Sequence, residues 1–258
     1  MKTYIVGNWK MNLTVGESSI YLHKLLKRIK VARGIEIIIT PSFISLQPLS
    51  LQLEKNKSKI KLAAQNFYHK DFGAFTGEVS ISQLRGIINY AIIGHSERRH
   101  IFSETDKDLR QKVAAAIRNN ITPILCIGET ENEKIFGETN DVIKDQLLGG
   151  LSEIDVEDVK KVIIAYEPVW AISSTKSARI ASPDEIAGSI DLIRQELTAI
   201  YGTETAEQVP ILYGGSVNPN NAGAYLTIPG VNGLLIGGSS LISDHFVDII
   251  DIAKKVKS

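Results

Sequence analysis

Short runs of aliphatic and β-branched residues alternate along the chain with longer amphipathic segments. Eight such runs predict β-strands, at residues 4–9, 35–40, 60–66, 90–94, 122–128, 161–167, 210–214 and 233–237. Apolar residues follow one another in these runs without strict alternation. This pattern is typical of parallel strands that are buried on both faces.

The segments between the runs predict helices, because their apolar residues recur at spacings of three and four. The clearest of them are residues 18–29, 108–118, 141–151 and 185–200, and the chain ends in a further helical pattern at 247–258. SPDE (182–185) has the form of a helix start, with Ser182 as the cap, Pro183 at the first position and acids in the first turn.

Eight strand–helix alternations in about 250 residues favour a (β/α)₈ barrel. A doubly wound open sheet is the alternative. Residues 1–258 contain no Pro/Gly/Ser linker, low-complexity tract or break in composition, so we expect a single domain. The longest uncharged stretch of the amino-terminal part, residues 37–53, contains Pro41 and Pro48 and does not predict a membrane span.

Charge and cysteine content narrow the function. The net charge is zero, with 29 basic and 29 acidic residues, which argues against a general binder of nucleic acid or membrane surfaces. The single cysteine, Cys126, excludes a disulfide within the chain. Lys10 interrupts the first apolar run too early for a signal peptide. We therefore expect a cytoplasmic protein.

In a (β/α)₈ barrel, active sites are built at the carboxyl ends of the strands. Reading those ends gives Asn8 and Lys10, then His95, then Glu167. Burial would make Glu167 a stronger base, and a helix that begins after His95 would favour a neutral imidazole. Lys10 could neutralise an oxyanion. Each residue alone has a plainer explanation, such as a solvated side chain or a residue in a turn. A surface without a function seldom has a carboxylate, an imidazole and an ammonium group together, so the set favours an active site.

Paired glycines follow the last two predicted strands, in LYGGSV (212–217) and LLIGGSS (234–240). The loops after strands seven and eight commonly bind phosphate in barrels, because glycine lets backbone N–H groups approach an anion. The five histidines are scattered, and neither metal-ligand spacing nor a GxGxxG or GxxxxGK[ST] motif occurs. These features predict proton transfer next to a carbonyl of a small phosphorylated compound, without a metal or cofactor.

Seven motifs resemble the triosephosphate isomerase family, in that family's order along the whole chain. They are NWKMN (8–12), GAFTGEVS (73–80), IIGHSERR (92–99), CIGET (126–130), AYEPVWAI (165–172), LYGGSVNP (212–219) and GLLIGGSSL (233–241). The resemblance implies the barrel fold and the interconversion of dihydroxyacetone phosphate and glyceraldehyde 3-phosphate.

The resemblance also implies roles for individual residues. Glu167 would be the base, His95 the neutral electrophile and Lys10 the cation that stabilises an enediolate. Asn8 would help to position Lys10, and Glu97 matches the acid of the family's HSER motif. The pairing of a glutamate base with a neutral imidazole is the general description of catalysis in this family, and for this chain it rests on the resemblance.

The resemblance also implies which residues bind the phosphate and which loop contacts a second subunit. The resemblance implies that Ser216, Gly237 and Gly238 would hold the phosphate. The family is usually dimeric, and the loop around Thr76 would reach the partner's 8–10 region.

The segment after PVWAI (168–172) departs from the family, which usually has PVWAIGTGK there. No glycine follows Ile172, and the stretch before Pro183 is three residues longer. Two alignments are compatible with the sequence: Lys176 is the hinge lysine, or residues 179–183 fill the final hinge and 173–178 form the tip. We favour the second, and we expect the loop to close with the Ser173 N–H on the phosphate.

Two other functions compete with the isomerisation of triose phosphates. The longer, glycine-free loop could suit a longer ketose phosphate, such as a tetrulose phosphate. A barrel that binds phosphorylated metabolites without catalysis is a different class. It would be expected to lack Glu167, His95 or Lys10, and all three are present.

Overall fold

The computed structural model describes residues 2–30, 32–172 and 179–256. Its parallel strands form a closed barrel in the order β1 to β8, with β8 pairing with β1. The strands are β1 (Thr3–Asn8), β2 (Ile35–Thr40), β3 (Lys61–Ala64), β4 (Tyr90–Ile93), β5 (Thr122–Ile127), β6 (Ile163–Tyr166), β7 (Ile211–Tyr213) and β8 (Val231–Ile236). The predicted (β/α)₈ barrel is confirmed, and the open sheet is wrong.

Helices surround the barrel. In the described part of the chain they are α1 (Val15–Arg28), α2 (Phe43–Lys55), α3 (Ser96–His100), α4 (Asp106–Arg118), α5 (Glu131–Ile135), α6 (Thr139–Leu151), α7 (Val156–Val159), α8 (Pro183–Tyr201), α9 (Thr203–Gln208), α10 (Ala222–Leu226) and α11 (Ser243–Val256). Short 3₁₀ helices occupy Ile81–Leu84, Val169–Ala171 and Gly238–Leu241. None of the helices in these described ranges is both long and apolar enough to cross a bilayer.

Local sequence explains where several helices begin. Ser182 caps α8 as predicted: its side chain accepts the N–H of Glu185, whose carboxylate in turn accepts the N–H of Ser182. Thr14 and Thr105 form the same reciprocal box at α1 and α4. Each box satisfies donors that a helix start leaves unpaired, so these boundaries are set by two residues three positions apart.

The apolar core has two layers. Strand residues that point inward fill the barrel, among them Val6, Ile92, Ile124 and Ala165. Their outward-pointing neighbours pack against the helices in a larger cluster. Because both faces of every strand are buried, the strand sequences lack a two-residue period.

Candidate active site

Strand alternation aims Glu167 into the mouth of the barrel. Along β6, Ala165 belongs to the interior layer and Tyr166 to the outer layer, so the next side chain points inward again. The N–H of Glu167 donates to the carbonyl of Ile127 at 2.7 Å, which holds the backbone just beyond the strand end. The Glu167 residue is only 3% exposed.

One cavity at the carboxyl ends of the strands collects the predicted chemical groups. It is lined by Asn8, Lys10, His95, Glu167, Ile172, Gly214, Gly215, Leu235 and Gly237. The polar side chains of this cavity, those of Asn8, Lys10, His95 and Glu167, were predicted from the sequence. Its apolar walls, Ile172 and Leu235, were not predicted.

His95 is fixed in one orientation at the start of α3. Its Nδ1 accepts the backbone N–H of Glu97 at 3.2 Å. A neutral ring with an acceptor at Nδ1 carries its proton on Nε2, so the hydrogen-bond network assigns this tautomer. The Nε2 atom lies 3.3 Å from Oε1 of Glu167. His95 therefore presents a donor beside the carboxylate.

Lys10 is held by its backbone as well as by its ammonium group. Its φ of 51° is in the left-handed region, which costs a non-glycine residue about 1–2 kcal/mol. The Lys10 N–H donates to Oδ1 of Asn8 at 3.0 Å, and its carbonyl accepts from Nε2 of Gln65 at 2.7 Å. The Nζ atom lies 2.6 Å from Oε1 of Glu97. Asn8 and Glu97 thus position the cation.

The surroundings of Glu167 explain two glycines. A Cβ at Gly128 would lie 2.1 Å from the Glu167 carbonyl oxygen, and a Cβ at Gly214 would lie 2.8 Å from the Glu167 Cγ. Oε2 of Glu167 accepts the N–H of Ser96 at 3.3 Å. Gly214, which the sequence analysis had explained by the approach of an anion, therefore also makes room for the carboxylate.

The candidate phosphate residues occupy different positions. Gly237 lines the cavity, and Gly238 begins the 3₁₀ helix that follows it. The N–H of Ser216 donates to the carbonyl of Ala171 at 2.9 Å. Ser173 lies outside the described residues, as does the rest of the 173–178 segment. The phosphate roles of these residues remain predictions.

Glu129 is a buried carboxylate to which the sequence analysis assigned no role. It is fully buried and accepts hydrogen bonds from the hydroxyl of Tyr166 at 3.1 Å and from Nε1 of Trp170 at 2.8 Å. Its carbonyl accepts the N–H of Val169 at 2.9 Å. The only sequence signal was an acid directly after a buried strand. Glu129 ties β5 to the segment that follows Glu167.

Burial raises the pKa values of two groups close to the cavity. Burial, followed by the nearby carboxylate of Glu167, raises the pKa of the Cys126 thiol well above its usual value. Burial and then Glu129 likewise raise the pKa of the Tyr166 hydroxyl. Within the described ranges, no group of three His, Cys, Asp or Glu residues has the arrangement of a metal site. Glu167, His95 and Lys10 are the groups at this site suited to acid–base chemistry.

Comparisons with known proteins agree with this geometry. The family model described as triosephosphate isomerase matches residues 3–253. A triosephosphate isomerase of Clostridium acetobutylicum is 43% identical over 253 residues, covering 97% of this chain and 100% of the relative. That of Clostridium tetani is 42% identical over 251 residues, covering 97% and 96%. That of Carboxydothermus hydrogenoformans is 41% identical over 250 residues, covering 96% and 98%. The chain therefore belongs to the triosephosphate isomerase family of enzymes.

Proposed function

We propose that the chain interconverts dihydroxyacetone phosphate and D-glyceraldehyde 3-phosphate, with Glu167 as the base. The observation that carries this proposal is the 3.3 Å approach of His95 Nε2 to Glu167 Oε1 in a cavity that also contains Lys10. A base, a neutral donor and a cation at one site are the groups needed to move a proton between two carbons that flank a carbonyl.

In this scheme Glu167 removes a proton from C1 of dihydroxyacetone phosphate and the C1–C2 enediolate forms. The same carboxyl group then returns a proton to C2. A substrate does not fit between two atoms 3.3 Å apart, so the carboxylate must turn away from Nε2 when the substrate binds. That movement also breaks its 3.3 Å contact with the N–H of Ser96.

His95 and Lys10 act on the oxygens of the substrate. The Nε2–H of His95 donates to the carbonyl oxygen and passes a proton between the two oxygens of the enediolate. The ammonium of Lys10 stabilises the negative charge that develops there. Glu97 and Asn8 hold Lys10 in place, and Ser216, Gly237 and Gly238 hold the phosphate, with the Ser173 N–H as a further donor. The scheme uses no metal ion and no organic cofactor.

The test is steady-state conversion of glyceraldehyde 3-phosphate by the wild type and by Glu167→Gln. We expect rapid turnover that EDTA does not reduce, and a loss of about 10³-fold in the variant, within the range that a positioned general base contributes. Wild-type turnover of a tetrulose phosphate that exceeds turnover of the triose would replace the proposed substrate. Equal rates for wild type and variant would remove Glu167 from the role of base.

We also propose that the chain is a homodimer in which the loop around Thr76 docks beside the partner's active site. Next to the catalytic cavity lies a groove whose walls include Met11, Phe43 and Phe102, together with Lys10 and Glu97. Met11 is 97% exposed and Phe102 63% exposed in the single chain. The loop itself exposes Phe72 and Phe75. Burial of such apolar surfaces against each other stabilises an interface.

Thr76→Asp tests this interface, with Thr203→Asp as the control at an exposed helix start on α9. In sedimentation velocity we expect a dimer for the wild type and the control, and a monomer with reduced activity for Thr76→Asp. A monomeric wild type, or a dimeric Thr76→Asp variant, would contradict the proposed interface.

A further inference from the structure

In the sequence, Trp170 follows the proposed base, Glu167, by three positions. Arg179 is the first described residue after positions 173–178. Trp170 is 2% exposed, and its Nε1 donates to Glu129. Two cationic groups lie against its indole ring: Nζ of Lys134 and Cζ of Arg179 are each 4.1 Å from the ring centroid. The Arg179 side chain is half exposed and the Lys134 side chain about one third exposed. An indole ring attracts a cation above its face at such partly solvated positions as well.

The two cations share one carboxylate. Arg179 binds Glu185 with both terminal nitrogens, at 2.9 and 2.6 Å, and Nζ of Lys134 lies 3.3 Å from the same carboxylate. Glu185 also accepts the N–H of Ser182 and so belongs to the first turn of α8. The hydrogen bonds from Arg179 are the largest cause of the lowered pKa of Glu185, so its charged form is favoured. The guanidinium is therefore fixed to the start of a long helix.

Arg179 also contacts the main chain of Trp170. Its N–H donates to the Trp170 carbonyl at 3.2 Å. Arg179 thus contacts the indole ring and the carbonyl of Trp170, and its guanidinium binds Glu185. These contacts join the start of α8 to the 3₁₀ helix Val169–Ala171. The residues at the end of that helix face the site: the carbonyl of Ala171 accepts the N–H of Ser216 at 2.9 Å, and Ile172 lines the cavity with Glu167.

We infer that Arg179 is a positioning residue for the isomerisation proposed above, an inference that rests on that proposal. It acts through Trp170. By holding the indole and the Trp170 carbonyl, Arg179 sets the position of Ile172, the apolar wall beside the carboxylate of Glu167. A wall that moves admits water to the base and weakens the chemical step. Substrate affinity changes less, because two of the candidate phosphate residues, Gly237 and Gly238, lie in the loop after β8.

The test compares Arg179→Met, which keeps the length of the side chain but removes its charge, with Arg179→Lys, which restores a cation. Arg110→Met is the matched control, because Arg110 pairs with Glu153 away from the site, at 3.2 Å. Each protein is labelled with 5-fluorotryptophan and examined by ¹⁹F NMR. The chain has two tryptophans, and Trp170→Phe assigns their resonances.

We expect Arg179→Met to shift the Trp170 resonance and to lower kcat about tenfold, with KM changed less than about threefold. Arg179→Lys should recover most of kcat, and Arg110→Met should match the wild type. If Arg179→Met lowers only the melting temperature and leaves kcat and the resonance unchanged, the positioning role is wrong. A wild type without triose phosphate turnover would instead overturn the proposed function, and the shift of the Trp170 resonance would still report whether Arg179 holds the indole.

Discussion

Nζ of Lys10 lies 2.6 Å from Oε1 of Glu97, across 87 residues of sequence. The backbone N–H of the same glutamate donates to Nδ1 of His95. One residue therefore positions the cation with its side chain and the imidazole with its main chain. A substitution of the side chain separates these two effects, because it leaves the backbone bond to His95 in place.

Glu97→Gln should lower kcat/KM by about 10- to 100-fold, since a hydrogen bond to a charged group contributes about 1.5–3 kcal/mol. Steady-state kinetics with glyceraldehyde 3-phosphate provides the measurement. Glu36→Gln is the control: Glu36 pairs with Lys2 at 2.8 Å, near the opposite end of the barrel, and its loss should change the rate less than about twofold. Equal effects of the two substitutions would argue that the Lys10–Glu97 pair has no special place in catalysis.

Gly214→Ala should impair catalysis through a single methyl group. The new Cβ would lie 2.8 Å from Cγ of Glu167, closer than packed carbon atoms approach. The carboxylate must then move, and a small misplacement of a catalytic group reduces the rate by about 10- to 100-fold. We expect this loss in kcat, measured at saturating substrate.

Gly188→Ala is the matched control for that experiment. Gly188 lies inside α8, and nothing lies within 4 Å of the position of its added Cβ. Alanine in a helix interior is more favourable than glycine by about 0.5–1 kcal/mol, so this variant should be slightly more stable and fully active. If Gly214→Ala also retains full activity, the glycine is not there to make room for Glu167.

The barrel could be predicted from the sequence because residues close together in the chain specify its strands and helix starts. Ser182, Pro183 and the acids that follow them predict a helix start from four consecutive residues, and α8 begins there. Asn8, Lys10, His95 and Glu167 were likewise singled out because they lie at strand ends, and they line one cavity. The predicted strands at 60–66, 161–167 and 210–214 were too long, since β3, β6 and β7 are shorter at both ends. Beyond the carboxyl ends of the strands, the backbone hydrogen bonds between neighbouring strands stop, and the chain continues in loops that side-chain hydrogen bonds hold in place.

Other features depend on contacts between distant segments and were not predicted. No helix was predicted between the strands at 35–40 and 60–66, yet α2 spans Phe43–Lys55 and contains Pro48. Packing of Leu46, Leu49 and Leu53 outweighs the missing N–H of the proline. The role of Glu129 could not be inferred either, because its partner Trp170 is 41 positions away.

Cys126 should be inert to thiol reagents in the folded protein. Its residue is 1% exposed, and its pKa is raised by burial and by Glu167, so little thiolate is present and little of it is accessible. We expect iodoacetamide at about pH 8 to modify the native protein at less than about a hundredth of the rate seen in guanidinium chloride. Rapid native modification, detected by mass spectrometry, would show that the cavity beside Glu167 opens far more often than its burial implies.

The carboxylate of Glu185 should make stability depend on pH in the acid range. Its pKa is lowered from the ordinary 4.5, first by hydrogen bonds from Arg179 and then by the N–H of Ser182 and by Lys134. A carboxyl group with a lowered pKa in the folded state stabilises the protein above its unfolded pKa. This stabilisation is lost as the pH falls through the folded value. Wild type and Glu185→Gln should therefore differ most at neutral pH, by about 0.5–1 kcal/mol for a partly exposed ion pair.

Urea unfolding at about pH 7, 5, 4 and 3.5 measures that difference. We expect the free energies of unfolding of the two proteins to converge as the pH falls below 4.5, the ordinary pKa of a glutamate. The effect of other carboxyl groups is common to both proteins and cancels in the comparison. Because Glu185 also anchors the guanidinium on Trp170, its protonation should reduce that contact as well. A gap that stays constant down to the lowest pH would mean that the Glu185 charge contributes nothing and that only the shape of the side chain matters.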